Sequence, residues 1–430
     1  MIDFFNILKM SGYPVRKARI KYNSIKDVSD CVLTQEIAKK EIFDFHADNN
    51  DFYFKEILKG NKKVEWHQVP IMTRDDLSGD YVSKIPSCMR KQKMYVGITS
   101  GSSGPPVKFA RDAMQHAMVW FNVENHYLNS GISINDRQAR FYCTPIGSKM
   151  YAKERLKDFL ANRYRFDVNV YSDSLVDSWL RIIKRDKFNY LYGYSQTLYT
   201  LAKYVDKRNI ILKDVCPSIK ACIVTSEMCS LTEQEYISKK FGIPVANEYG
   251  ISEIGVIAYK TEDYWECSDE LLYLEVVDDQ GNILPEGMSG RLLCTCLYNK
   301  ATPFIRYEVG DLVIMERING RTRIKSLEGR VTETITLPSG KTVTGLTIYY
   351  ILDEIGNLIN GVQEYRILQY ERGKFQVEVV GDVHLSSKEQ DNLESLFNQY
   401  LETGLDVKIK PVEHIKRKAN GKFKPFVSII

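Results

Sequence analysis

Between Gly97 and Lys108 the chain reads Gly97-Ile98-Thr99-Ser100-Gly101-Ser102-Ser103-Gly104-Pro105-Pro106-Val107-Lys108. These residue types suit phosphate. Glycines permit positive φ and close approach of the backbone to an anion. Thr99, Ser100, Ser102 and Ser103 supply hydroxyl donors, and Lys108 adds a full positive charge. Spacing excludes a Walker A loop, GxxxxGK[ST]. Counting from Gly97 puts Ser103 where the lysine belongs, and Lys108 comes after Gly104 with two prolines between. Gly/Ser clusters also make ordinary solvated linkers, so the loop by itself leaves both readings open.

Such a loop must be carried by strands and helices, and the middle of the chain supplies that alternation. Gln138 to Ile146 and Ile219 to Thr225 are short apolar runs that read as buried strands. The second leads into Ser230-Leu231-Thr232-Glu233, a capping-box pattern that opens a helix ending near Gly242. Pro244-Val245-Ala246 reads as another strand, with Asn247-Glu248-Tyr249-Gly250-Ile251-Ser252-Glu253 in the loop beyond it, where open α/β sheets bind ligands. From about Leu271 the rhythm changes to strand pairs, with hairpin signals at Asp279-Gln280-Gly281-Asn282 and Asn319-Gly320. The C-terminal stretch carries turns at Pro338-Ser339-Gly340 and Glu371-Arg372-Gly373-Lys374 and a polar helix from about Ser386 to Leu401, the pattern of a small α+β domain. The expected fold class is α/β, with a large N-terminal domain, residues 1–328, and a small C-terminal domain, residues 329–430, divided near Glu328-Gly329-Arg330.

The bulk properties narrow the field. A chain of 430 residues with 44% hydrophobic content builds substantial cores, and a net charge of +4 gives no basis for a nucleic-acid partner. No run approaches the ~18 apolar residues of a membrane span, so no integral membrane segment is expected. Nine cysteines, an odd number without an export signal, read as reduced thiols in a cytoplasmic protein. None of the six histidines is paired at metal spacing. Oligomeric state is not legible.

Four further segments come after the loop in an order and at separations that resemble the adenylate-forming superfamily of acyl-coenzyme A synthetases, peptide-synthetase adenylation domains and luciferases. The family's phosphate loop, T-S-G-[ST]-[ST]-G-x-P-x-x, is matched from Thr99 to Lys108, with Pro105 where many members have lysine. Its aromatic-Gly-x-[ST]-Glu signature is matched by Tyr249-Gly250-Ile251-Ser252-Glu253. Its R-Y-x-x-G-D is matched by Arg306-Tyr307-Glu308-Val309-Gly310-Asp311. Gly329-Arg330 resembles the family's hinge-region arginine, although Thr332 and Glu333 stand where an aspartate two residues later is usual. Asn420-Gly421-Lys422 resembles the C-terminal N/S-G-K loop.

The branch it most resembles is that of phenylacetate-coenzyme A ligase and its relatives from capsule and other surface-polysaccharide loci. Trp66 to Leu77 is similar to that branch's W-x-x-I-P-[IV]-x-[TS]-[KR]-x-D-L, Pro303-Phe304-Ile305-Arg306-Tyr307 resembles its M-P-[LF]-I-R-Y, and Gly421 to Ser428 resembles its ending. Three other signals point elsewhere. Cys294 and Cys296, with Cys267 upstream, raise a zinc site of the kind found in some relatives, without an evident fourth ligand. Gly193-Tyr194-Ser195-Gln196-Thr197 approaches the G-x-S-x-G elbow but ends in threonine. Asp173-Ser174-Leu175 echoes a phosphopantetheine attachment site without its preceding glycines.

The resemblance implies ATP and Mg²⁺ as cofactors, with coenzyme A as a candidate co-substrate. It implies that Ser100, Gly101, Ser102, Ser103 and Gly104 cover phosphate with Thr99. Tyr249 would stack on adenine, Ser252 would face the α-phosphate, Glu253 would hold the metal and Asp311 the ribose hydroxyls. Ser226, Glu227, Asn247, Glu248, Gly250 and Arg330 complete the implied nucleotide site. Lys422 would bridge the substrate carboxylate and the α-phosphate, with Lys108 and Glu253 as the other catalytic groups. The implied reaction is adenylation of a small carboxylic acid with pyrophosphate release, then acyl transfer to a thiol, amine or sugar hydroxyl, in surface-polysaccharide modification. An aryl or acyl-coenzyme A ligase is the alternative within the family, and a nucleotide-binding scaffold of a polysaccharide assembly complex the alternative outside catalysis. Tyr142, Thr144, Ser226, Ala246 and Asn247 are the candidate lining of the acid pocket.

Overall fold

The structure, a computed structural model, describes residues 3–26, 28, 31–99, 106–143, 148–168, 173–260, 264–330, 335–343, 345–359, 361–381, 383, 386–415 and 423–430. Of the expected site and hinge positions, Ser100 to Gly104, Thr144, Thr332, Glu333 and Lys422 lie outside the described residues. The architecture is α/β, a large multi-stranded part with mixed strands and flanking helices and a smaller C-terminal α+β part.

The chain packs as two compact units, one of residues 1–136, 160–162 and 246–327, the other of 137–159, 163–245 and 328–430. In the second unit, four parallel strands lie in the order Arg163–Phe166, Gln138–Phe141, Tyr190–Tyr194, Ala221–Thr225. Helices Ser148–Leu160, Asp173–Asp186 and Ser195–Lys207 fall between them in sequence, the crossover that parallel neighbours require. Phe141, Phe166, Trp179, Phe188, Leu198 and Val224 form the core of this sheet and its helices. The expected capping box is present: Ser230 accepts from the Glu233 N–H, Glu233 reaches back, and helix Leu231–Phe241 ends at Gly242 with φ +67°. Glycine suits that left-handed cap because it has no Cβ to clash.

The C-terminal part of the same unit is a four-stranded sheet in the order Asp406–Pro411, Lys374–Gly381, Val362–Glu371, Phe426–Ser428. The central pair is antiparallel and both outer strands are parallel to their neighbours. Helices Gly345–Leu358 and Ser387–Tyr400 contribute Ile348, Ile355 and Phe397 to a core shared with Ile367, Phe375 and Val377. The polar helix begins where its sequence places it, at a Ser386–Glu389 capping box.

The first unit is dominated by antiparallel pairing. Strand Leu272–Val277 pairs with Ser289–Cys296, and that with Tyr307–Ile318, while Val245–Ile251 pairs with Gly255–Lys260 and that with Trp265–Cys267. Tyr307–Ile318 turns back into Arg321–Arg330 through Asn319 (φ +52°) and Gly320 (φ +75°), the two positive φ values that the Asn-Gly pair predicts. One expectation is corrected here. The strand expected to stop at Ala246 runs to Ile251, because Asn247 to Ile251 find ladder partners from Lys260 back to Gly255. Only Ser252 to Ile254 form the turn.

Candidate functional site

In the first unit the phosphate-type loop is the connection of a hairpin. Met94–Ile98 pairs with Lys108–Asp112, from Met94 opposite Asp112 to Ile98 opposite Lys108. Thr99 ties its neck: the Thr99 N–H donates to the Val107 carbonyl at 2.9 Å, and the Thr99 hydroxyl accepts from the Val107 N–H at 3.0 Å and from Arg74 at 2.8 Å. The buried Thr99 oxygen thus holds the loop's base. Gly97 is a glycine for a reason other than loop curvature. It faces Phe109 across the ladder, and a Cβ there would stand 2.2 Å from the phenyl ring. Lys108 is exposed, its Nζ 5.9 Å from the Tyr81 ring centre. A cavity of about 450 Å³ lies between Ser78–Tyr81 and Pro106–Lys108.

The bulge in the Arg306-to-Asp311 motif aims its aspartate. Glu308 stands opposite Leu293 and Leu312 opposite Arg291, so Val309, Gly310 and Asp311 face Leu292 alone. Gly310 takes φ +87°. An inserted residue bends a strand and re-aims the side chains beyond it. The buried Asp311 carboxylate receives the Tyr249 hydroxyl at 2.6 Å. Tyr249 and Asp311, assigned to adenine and ribose by separate motifs, are therefore in direct contact. Gly250 beside them has no room for a side chain, since a Cβ would lie 2.2 Å from the Gly255 carbonyl oxygen.

Arg306 of the same motif is buried and does different work. It forms an ion pair with Glu275 at 3.3 Å and donates to the carbonyls of His67 (3.0 Å), Val69 (2.7 Å) and Gly281 (3.2 Å). The Met72 N–H donates to the Arg306 carbonyl and the Glu308 N–H to the Met72 carbonyl. The Trp66-to-Leu77 segment is thus stitched to the R-Y motif. Arg306 itself sits at φ +46°, a strained value held by these contacts.

Glu253 is buried at the turn after Ile251, with its Oε1 3.4 Å from the Tyr307 hydroxyl. Sequence reasoning missed the residue that supports this turn. Arg111 donates to the Ser252 and Glu253 carbonyls, and burial holds its guanidinium below its ordinary pKa, opposed by Tyr95, Cys296 and Glu253 nearby. A signal was available: Asp112-Ala113-Met114-Gln115 is an N-cap pattern, and Asp112 indeed accepts from the Met114 and Gln115 N–H groups, fixing the strand that carries Arg111. Glu253 offers a hard carboxylate oxygen, the donor that Mg²⁺ takes singly or in pairs alongside phosphate oxygens, so its chemistry fits that ion. Asn247 and Glu248 are buried in the strand, Ser252 is exposed at the turn, and Arg330 is half-buried at the end of Arg321–Arg330. Burial pushes the Cys267 and Cys294 thiols well up, and among the described residues no group of three or more His, Cys, Asp or Glu side chains is arranged to hold a metal.

In the second unit Ser226 comes directly after strand Ala221–Thr225 with φ +71°, and its hydroxyl lies 3.2 Å from that of Tyr142. Tyr142 is tilted against Tyr194 at 4.2 Å and stacked on Tyr192 at 5.6 Å, with Arg140 4.4 Å above its ring. No motif in the sequence announces a cation here. Glu227 bonds Gln196 and Phe423.

The CapK C-terminal domain family matches residues 336–428. Over 318 residues, 69% of this chain and 66% of the relative, the sequence is 25% identical to Protein CapK of Staphylococcus aureus. Over 125 residues, 27% of this chain and 27% of the relative, it is 34% identical to phenylacetate-coenzyme A ligase of Thermus thermophilus. The chain therefore spans less than two thirds of the length of these curated relatives. A solved structure of 2-hydroxyisobutyryl-CoA ligase in complex with 2-HIB-AMP aligns with TM-score 0.66 and 17% identity over 91% of this chain and 88% of that one. The fold is that of the adenylate-forming ligases. In sequence the chain is similar to phenylacetate-coenzyme A ligases and to the protein named CapK, and its C-terminal stretch to the CapK C-terminal domain. No helix among the described residues is long and apolar enough to cross a membrane.

Proposed function

We propose that this protein is an ATP-dependent ligase that adenylates a small carboxylic acid and passes the acyl group to a second nucleophile. A carboxylate oxygen attacks the α-phosphorus of ATP, the bond to the bridging oxygen of the β-phosphate breaks, and pyrophosphate leaves with that electron pair. The acceptor then attacks the acyl carbon, loses its proton and expels AMP. The observation that carries this reading is the contact between Tyr249 and Asp311, which joins the residues assigned to base and ribose at one point.

Asp311 as a carboxylate accepts from the ribose hydroxyls, and Tyr249 presents its ring face to the base. Glu253 would hold Mg²⁺, which when bound neutralises phosphate charge. Lys108 and Lys422 supply positive charge to the phosphates and the reacting carboxylate. In this reading residues 1–328 and 329–430 act as the large and the small catalytic domain. Similarity to Protein CapK over 69% of the chain, and the match of residues 336–428 to the CapK C-terminal domain, support a role in surface-polysaccharide modification with a sugar amine or hydroxyl as acceptor. Similarity to phenylacetate-coenzyme A ligase supports coenzyme A in that place. The test is ATP–pyrophosphate exchange across a panel of amino, hydroxy, aryl and fatty acids. Exchange with one class, yielding AMP, supports the reading, whereas ADP as product or no exchange with any acid overturns it.

A further inference from the structure

The resemblance assigns Glu227 to the nucleotide, and in the structure its carboxylate accepts hydrogen bonds from Gln196 and Phe423. Ser226 at φ +71° turns the chain sharply after strand Ala221–Thr225, and the Glu227 carbonyl then accepts from the Ser195 hydroxyl at 3.0 Å. Glu227 Oε2 accepts the N–H of Gln196 at 3.1 Å, in the first turn of helix Ser195–Lys207, where a negative charge is favoured by the helix dipole. Glu227 Oε1 accepts the N–H of Phe423 at 2.7 Å. Phe423 belongs to the C-terminal segment, is buried, and is the residue bonded to Lys422. Two residues further on, the Pro425 carbonyl accepts from Ile367 at 2.8 Å, and Phe426 pairs with Ile367 in the C-terminal sheet.

A second contact joins the same helix to the same sheet. Lys203 Nζ lies 4.4 Å from the Tyr199 ring centre and 5.6 Å from that of Tyr365 on strand Val362–Glu371. The C-terminal sheet is thus seated on helix Ser195–Lys207 at its middle, and Glu227 connects the N-terminal end of that helix to Phe423.

We infer that Glu227 is a positioning residue for adenylate formation, one oxygen fixed on the helix Ser195–Lys207 and the other holding the Phe423 amide, so that the chain is anchored at the residue that follows Lys422 in the sequence. This rests on the reading that Lys422 acts in the first half-reaction. A carboxylate suits the task because each of its oxygens accepts independently, and charge-assisted bonds are the strong ones.

Glu227→Gln keeps the shape and leaves only one acceptor oxygen. Two measurements on the full-length protein test the inference. Hydrogen exchange of the Phe423 amide should accelerate roughly ten- to a hundredfold, the scale of one bond to a charged group. In parallel, kcat for adenylate formation should fall by a similar factor with KM for ATP unchanged, while acyl transfer from supplied acyl-AMP is retained. A raised KM for ATP at unchanged kcat, or unchanged Phe423 exchange, would overturn the inference in favour of a nucleotide contact or a merely structural residue. Faster exchange in a protein that shows no pyrophosphate chemistry with any acid would leave the anchor standing as a contact and overturn the adenylation reading together with the anchor's catalytic purpose.

Discussion

The Tyr249 hydroxyl donates to Asp311 Oδ2 at 2.6 Å, across a strand pair's end and a bulge that meet only in the folded chain. The bond holds the carboxylate through its Oδ2. Tyr249→Phe removes the donor and keeps the ring, so KM for ATP in pyrophosphate exchange should rise by about five- to thirtyfold, a loss of roughly 1–2 kcal/mol. Asp311→Asn should cost at least as much, and the double variant should cost less than the sum, because the two groups form one unit. Strict additivity would show that the bond does not matter to nucleotide binding.

Lys108 stands exposed at the exit of the phosphate-type hairpin, near Tyr81. Lys108→Ala is expected to slow adenylate formation about tenfold or more, the scale of a charged contact. Acyl transfer from a preformed adenylate should be nearly intact. Single-turnover measurements of the two steps separate these outcomes, and an equal loss in both would remove Lys108 from phosphate handling.

Gly97 and Phe109 make a stability prediction independent of activity. A methyl at residue 97 meets the phenyl ring at 2.2 Å, so Gly97→Ala should lower stability by about 1–3 kcal/mol, the usual cost of overpacking. Denaturant midpoints report this directly. Phe109→Leu in the Gly97→Ala background should recover part of the loss, since the smaller side chain yields the space.

Three buried histidines set an acid limit on the first unit. Burial lowers His46 and His126 to about 4 and His116, beside Arg111 and Lys93, to about 3. Below the ordinary value of about 6.5 the unfolded chain takes up protons that these buried rings refuse, so stability falls as pH falls from there to about 4. His126 alone accounts for about 3 kcal/mol over that window. Asp269, raised by burial to about 6, acts in the opposite sense and favours the folded form as pH drops through that value. His126→Phe keeps the ring stacked on Tyr259 and removes the titration, so thermal melts from pH 7 to pH 4 should fall less steeply than in the parent. Parallel curves would place the histidine's titration elsewhere.

Local signals with local causes were legible in the sequence. Ser230 with Glu233, Ser386 with Glu389, Gly242 and Asn319-Gly320 each state a requirement satisfied within a few residues, and each element forms where it is expected. Requirements imposed from a distance were not legible. Nothing near Asn247 announces that Gly255–Lys260 will return to extend its strand, and nothing near Gly97 names Phe109 as the ring that needs the space. Arg111 could be read only as a charge in a strand until the turn at Ser252 and Glu253 was brought beneath it. The motifs pointed to the residues of interest, and tertiary packing decided whether each faces the site or builds it.

Arg306 carries that distinction furthest, since its guanidinium grips main-chain oxygens of His67, Val69 and Gly281. A clasp on carbonyls specifies the path of a chain and is indifferent to the side chains strung along it. Residues 67 and 69 can therefore drift in identity without loosening the clasp, whereas a lysine at 306, with one ammonium in place of a planar fork, could not span all three oxygens and Glu275 at once. Variation should accumulate around this arginine, and the arginine itself should be the fixed point about which it accumulates.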